Sequence, residues 1–187
     1  VKPSDTFQDG LQVVQNEVAA WEAAKWLGCS NMVALTVLRE FPSVANAAVG
    51  VVSSAQVLWP AVMAGPTMAD ISDEQVSWTA TFDYVTNCTD RADHQSNWLA
   101  VRCERTNSVQ IKLLDNGFSF DYRGGESLFV TKMRGKPLPE IMLQGVDRLQ
   151  KNANSSALAN LLSAQQLVNL DTRCGQLLAS SCIPATN

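Results

Sequence analysis

The sequence predicts an α+β fold: N-terminal helices packed on a roughly five-stranded antiparallel meander, closed by C-terminal helices. Three observations predict it. Apolar residues recur at helical spacing near both ends, in "SDTFQDGLQVVQNEVAAWEAAKWLG" and "SALANLLSAQQLVNLDTRCGQLL". The middle of the chain holds short β-rich runs, such as "SVQIKLL", several with clean alternation. Turn-forming triplets, "RTN" at 105–107, "DNG" at 115–117 and "RGG" at 123–125, space those runs closely enough to require antiparallel neighbours. The whole chain, 1–187, is read as one domain: helical over 1–66, sheet over 75–133 and helical over 138–181.

The first helix places Phe7, Leu11, Val14, Val18 and Trp21 on one face. Asp5 suits its start, with Gln8 reaching back, and Gly28 suits a left-handed stop. "SNMVALTVLREF" reads as a second helix, capped by Ser30 and ended by Pro42. Residues 41–69 then run without one charged side chain. Only 17 residues lie between Pro42 and Pro60, fewer than the roughly twenty that a spanning helix needs. On a helix, Val44, Ala48, Val51, Ala55, Leu58 and Val62 would form one stripe, with Asn46, Ser53 and Gln56 away from it. The expectation is a packed helix over 43–58, with Val44, Val51, Leu58 and Val62 as its core-facing or lipid-facing residues. Trp59, beside a proline at the end of this stretch, is the tryptophan expected to make surface contact.

Five strands are expected, over 74–86, 97–104, 108–114, 118–122 and 127–133. Val76, Trp78, Ala80, Phe82 and Tyr84 share one face of the first, and Val109, Ile111 and Leu113 one face of the third. Lys132, Arg134 and Lys136 alternate at the end of the last, so an extended chain would point them the same way, toward an anionic surface or acidic partner. Pro139 and Glu140 suit the first turn of a further helix, and Ser155 or Ser156 can cap the last. Leu158, Leu161, Leu162 and Val168 form that last helix's stripe, and "KNANSS" links the two.

Composition bounds function. Charged residues are 17% of the chain, below the roughly 25% usual for soluble domains. A net charge of −4 argues against nucleic acid, whose phosphates require a basic field. Charge is unevenly spread: residues 1–90 hold three Lys/Arg against ten Asp/Glu, and residues 91–136 hold eight against five. The cysteines, at 29, 88, 103, 174 and 182, form no CxxC. Disulfides Cys88–Cys103 and Cys174–Cys182 would close short loops and leave Cys29 over. Asn87-Cys88-Thr89 and Asn154-Ser155-Ser156 match the glycosylation acceptor pattern. With a first residue, Val1, that is not Met, these features lead to an expected secreted or periplasmic location, a signal or anchor having been removed.

No phosphate-cradling, dinucleotide-binding, zinc-protease or serine-hydrolase motif is present. A single histidine, His94, argues against a metal centre. It stands near Cys88, Asp90 and Asp93, the residue types of a nucleophile–base–orienter set, but a solvated loop is the plainer reading. Asp121 and Glu126 flank the "RGG" turn and would have to converge to act as an acid–base pair. No catalytic residue, metal or cofactor is expected. The function predicted is a non-enzymatic interaction or assembly module, its partner another protein or a second copy of the chain. The alternative is a membrane-active, toxin-like or lipid-carrying protein that works through residues 41–69.

Overall fold

The computed structural model describes residues 2–3, 10–41, 51–56, 67–91, 97–103, 105–121 and 125–185. The fold is α+β, but a five-stranded meander is not part of it. The strands divide between two small antiparallel sheets, and helices dominate. The elements run β1 (Lys2–Pro3), α1 (Gly10–Leu27), β2 (Thr36–Phe41), β3 (Val51–Gln56), α2 (Asp73–Thr86), β4 (Trp98–Arg102) and β5 (Val109–Leu113). They close with α3 (Leu128–Met133), α4 (Glu140–Asn152), α5 (Leu158–Leu161) and α6 (Ala164–Ser180).

Helix α1 is the central element. Val13, Val14, Val18, Ala19, Ala20, Ala23, Ala24 and Leu27 are all buried, so the helix is covered on most sides. Leu11, expected in its stripe, is 50% exposed, and Trp21 is only partly buried. The alanines explain the difference. They permit close approach on a second side that an aliphatic stripe does not reveal, and α1 packs there against β2, β3, α4 and α5. The tightest point is Gly145 of α4, where an added Cβ would overlap the Leu27 carbonyl. Gly145→Ala is therefore expected to cost at least about 2 kcal/mol, because backbone cannot yield as a flexible side chain does. Urea denaturation of that variant measures the loss, and an unchanged midpoint would refute the close crossing.

Within the expected second and third helices, over 30–41 and 43–58, the described residues Thr36–Phe41 and Val51–Gln56 are strands. Residues Thr36–Phe41 pair antiparallel with Val51–Gln56, Thr36 opposite Gln56 and Phe41 opposite Val51, while β1 pairs with the other edge of β3. Just upstream, Val33 bridges in parallel to Leu113, which draws the chain out extended before β2 begins. Helix-compatible residues such as Leu38 and Glu40 follow that tertiary pairing. Of the proposed stripe, Val51 opens β3; Val44, Leu58 and Val62 lie outside the described residues, as does Trp59. Among the described residues, no helix is long and apolar enough to cross a membrane.

The opposite substitution occurs at 73–86, where the expected strand is helix α2. Ser72 caps it by accepting from the Gln75 N–H at 3.3 Å, Asp73 and Glu74 occupy the first turn, and Asn87 stops it in the left-handed region at φ 53°. Its β-branched content gave the strand reading, yet the helix has its own way of burying those residues. Ser77, Thr79, Thr81 and Thr86 each return a side-chain hydroxyl to the carbonyl four residues back, all at 2.8 Å. The helix can then be buried almost all round, from Val76 to Thr86. Residues 127–133 are likewise helix, capped by Ser127. Of the run "FSFDY", the described residues 118–121 form a turn and a bend, with Phe120 at φ 69°.

The hairpin in the middle matches expectation: Trp98 opposes Leu113 and Arg102 opposes Val109, with the turn at 105–107. Its second edge is covered. Gln75 places its side-chain amide against β5, donating to Val109 O at 2.9 Å and accepting from Ile111 N at 2.8 Å. Next along, Leu113 N donates to Met32 O and Ala34 N to Leu113 O. The expected last helix is cut in two at Ser163, which with Gln166 forms a reciprocal cap for α6.

Candidate functional site

Two buried polar networks include or adjoin some of the residues weighed for chemistry, namely Cys88, Asp90 and Asp121. In the first, Arg91 is 0% exposed and Asp83 1%. The Arg91 Nε–H donates to both Asp83 oxygens, at 2.9 and 3.1 Å. Its Nη1 reaches the carbonyls of Asn97 and Leu114 at 2.8 and 3.1 Å, and its Nη2 reaches Asn116 Oδ1 at 2.7 Å. The Ser127 hydroxyl donates to Asp83 at 2.5 Å, and the guanidinium sits 5.9 Å from the Phe82 ring centroid. Burial raises the Asp83 carboxyl, against the pull of Arg91 and Ser127. Burial works most strongly against the Arg91 charge, but the charge and hydrogen bond of Asp83, with Cys88 and Glu17, together outweigh it and hold the guanidinium protonated. The pair binds α2, the segment after it, the residues flanking the hairpin at the start of β4 and the end of β5, and the start of α3 into one unit. That is structural work.

Cys88 lies beside this pair, buried, with burial pushing its thiol up to about 11. A thiol that stays protonated at neutral pH is a poor nucleophile. Asp90 accepts from the Asn97 side chain at 2.6 Å, while Asp93 and His94 lie outside the described residues. Asp121 and Glu126 do not pair. Asp121 belongs to the second network, accepting from Gln166 at 2.8 Å and Asn16 at 3.2 Å. Glu126 accepts from Thr131 at 2.9 Å and forms an ion pair with Arg134. Among the described residues no three His, Cys, Asp or Glu side chains gather as a metal site.

None of the five cysteines is in a disulfide; all are thiols. The expected Cys88–Cys103 and Cys174–Cys182 bonds are corrected by burial. Cys174 faces the core from within α6, between Leu170 and Leu177, whereas Cys182 follows the helix and takes part in a bridge through Pro137. Cys88 likewise points inward at the end of α2, so both inner thiols behave as small hydrophobes. The two acceptor asparagines also part company. Asn154 is exposed in the turn after α4, while the Asn87 side chain donates to Asp121 O at 2.6 Å.

The basic trio is rearranged. Lys132 lies in the last turn of α3, Gly135 turns the chain at φ +69°, and Lys136 follows, so helix and turn replace the expected strand. Lys132 and Lys136 are exposed. Arg134 instead turns to Glu126 and to the Pro184 carbonyl, and the backbone around it bridges to Ile183 and Cys182. This fixed segment also carries two exposed apolar side chains, Leu128 at 39% and Ile141 at 55%. Ile141 had a legible signal: it falls beside, not within, the α4 stripe of Met142, Val146 and Leu149. Leu128 had none while α3 was read as a strand. At the opposite sign, Asp70, Asp73 and Glu74 are exposed around the start of α2. Hydrogen bonds from the Thr67 backbone and hydroxyl hold the Asp70 carboxyl below its usual range.

Set against known proteins, the chain matches no family model and no curated protein. The fold is α+β, and the buried Asp83–Arg91 pair ties α2 to the hairpin and to the start of α3.

Proposed function

We propose that the chain is a non-enzymatic assembly module that associates with further copies of itself. The observation carrying this reading is the segment from Leu128 to Ile141, in which two exposed lysines stand with two exposed apolar side chains on a braced backbone. Apolar contact supplies association energy, and the lysines supply orientation and approach rate. The acidic N-terminal half offers the complement in Asp70 and Asp73. Two different patches meeting make a heterologous contact, which yields a ring where the rotation closes and a filament where it does not.

Lys132→Glu combined with Lys136→Glu tests the reading, since neither side chain supports the core. Self-association is expected to weaken by at least about tenfold, the effect of roughly 1.4 kcal/mol, with the unfolding midpoint preserved. Size-exclusion chromatography at matched concentrations reads the first quantity and urea denaturation the second. Unaltered assembly in that variant would remove the basic segment from the contact. Arg134→Glu is not an equivalent probe, because breaking the Glu126 pair disturbs the brace itself.

A further inference from the structure

A cleft of about 380 Å³ opens between the turn after α1, the first turns of α2 and β5, apart from the basic segment. Its walls include Asn31, Glu74, Trp78, Gln110 and Lys112, and polar surface predominates. We propose that this cleft binds a neutral sugar, a monosaccharide or disaccharide, seated against Trp78.

Four features lead to that class of ligand. The two charged side chains are of opposite sign, one Glu and one Lys, so the cleft carries no net charge to select an ion of either kind. Asn31 and Gln110 are exposed amides, each able to donate and to accept, which is what a ring of hydroxyls requires of its partners. Trp78 is half-buried, its remaining surface offering a flat apolar wall of the sort that the C–H face of a pyranose can cover. The volume lies within the range of small-molecule sites and accommodates about one or two sugar rings.

The walls are also held in place before any ligand arrives. Lys112 Nζ donates to the Asn31 carbonyl at 2.5 Å, joining β5 to the turn after α1. The Gln75 amide clamps α2 to β5 through Val109 and Ile111. Gly28, at φ +95°, ends α1 and allows the tight turn that brings Asn31 over the cleft. A preorganised wall spends little binding energy on ordering itself.

Saturation-transfer NMR with glucose, galactose, N-acetylglucosamine and maltose, each at millimolar concentration, tests the proposal on the intact chain. Transfer to at least one of the four is expected, with ring protons of one sugar face receiving most. Gln110→Ala, an exposed change outside the core, should weaken that binding by about tenfold, the loss of roughly one well-made contact. Trp78→Leu should abolish it; because Trp78 also packs on the core, Asn31→Ala serves as a second surface variant. Absence of transfer from all four sugars overturns the proposal. So does binding that Gln110→Ala and Asn31→Ala both leave unchanged, since the sugar would then sit elsewhere.

Discussion

Asp83→Ala is expected to destabilise the protein by about 3–5 kcal/mol, because it strands the buried Arg91 guanidinium without its counter-charge. The side chain that remains cannot reach water: Arg91 has no exposure, and its other N–H groups are committed to Asn97, Leu114 and Asn116. The Ser127 hydroxyl would lose its acceptor in the same step. Replacing both charges, as Asp83→Leu with Arg91→Met, should cost less than the single change, since two apolar groups of similar size leave no buried charge uncompensated. Urea denaturation of both variants and a two-state fit give the comparison. A loss below about 1 kcal/mol for Asp83→Ala would mean that water reaches the pair, placing it among exposed ion pairs.

Stability is also expected to fall steeply in mild alkali. Burial pushes the thiols of Cys29 and Cys174 up to about 12 and that of Cys88 up to about 11, from an ordinary value of 9.0. Below that ordinary value all three are protonated whether the chain is folded or not, and their contribution is complete. Above it the unfolded chain releases protons that the native state retains, so the balance moves toward unfolding as pH rises. The loss approaches about 1.4 kcal/mol per pH unit for each thiol only above the ordinary value, so between about pH 8 and about pH 10 each costs about 1.4 kcal/mol and the three together about 4 kcal/mol. Lys112 acts in the other direction. Burial lowers its amine below the usual 10.5, so its penalty is relieved as pH climbs, but it is one group against three. Urea midpoints across this range should drop for the native sequence and flatten for Cys29→Ala/Cys88→Ala/Cys174→Ala. A flat native profile would show that these thiols meet solvent.

The sequence's legibility followed the locality of the forces. The β4–β5 hairpin was readable because its alternation and its turn lie within sixteen residues, from Trp98 to Leu113. Helix α4 was readable from Pro139 and Glu140 at its start. Helix α2 was misread because Val76, Thr79, Thr81 and Val85 favour strands, while the hydroxyl bonds that reconcile them with a helix appear only once the helix exists. Strand β2 was misread because Leu38, Arg39 and Glu40 are helix-compatible, and β3 because its small, uncharged residues suit either state; the pairing that decides both is non-local.

The site divides in the same way. Lys132 and Lys136 were found as exposed charges, though on a helix and turn and not on a strand. Arg134 was grouped with them by spacing alone, and its partner Glu126 could be assigned only after α3 brought the two together. The Asp83–Arg91 pair was invisible because residues 84–90, read as strand end and polar loop, separated its members. With α2 correctly assigned, a lone aspartate in the buried middle of a helix would have demanded a cation.

Sedimentation velocity on the native chain, over a concentration series at low and at high salt, tests the assembly reading most directly. The account predicts species larger than 20.3 kDa that grow with concentration at low salt and dissociate at high salt, as a contact steered by Lys132 and Lys136 requires. A single 20.3 kDa species at every concentration and salt would contradict it.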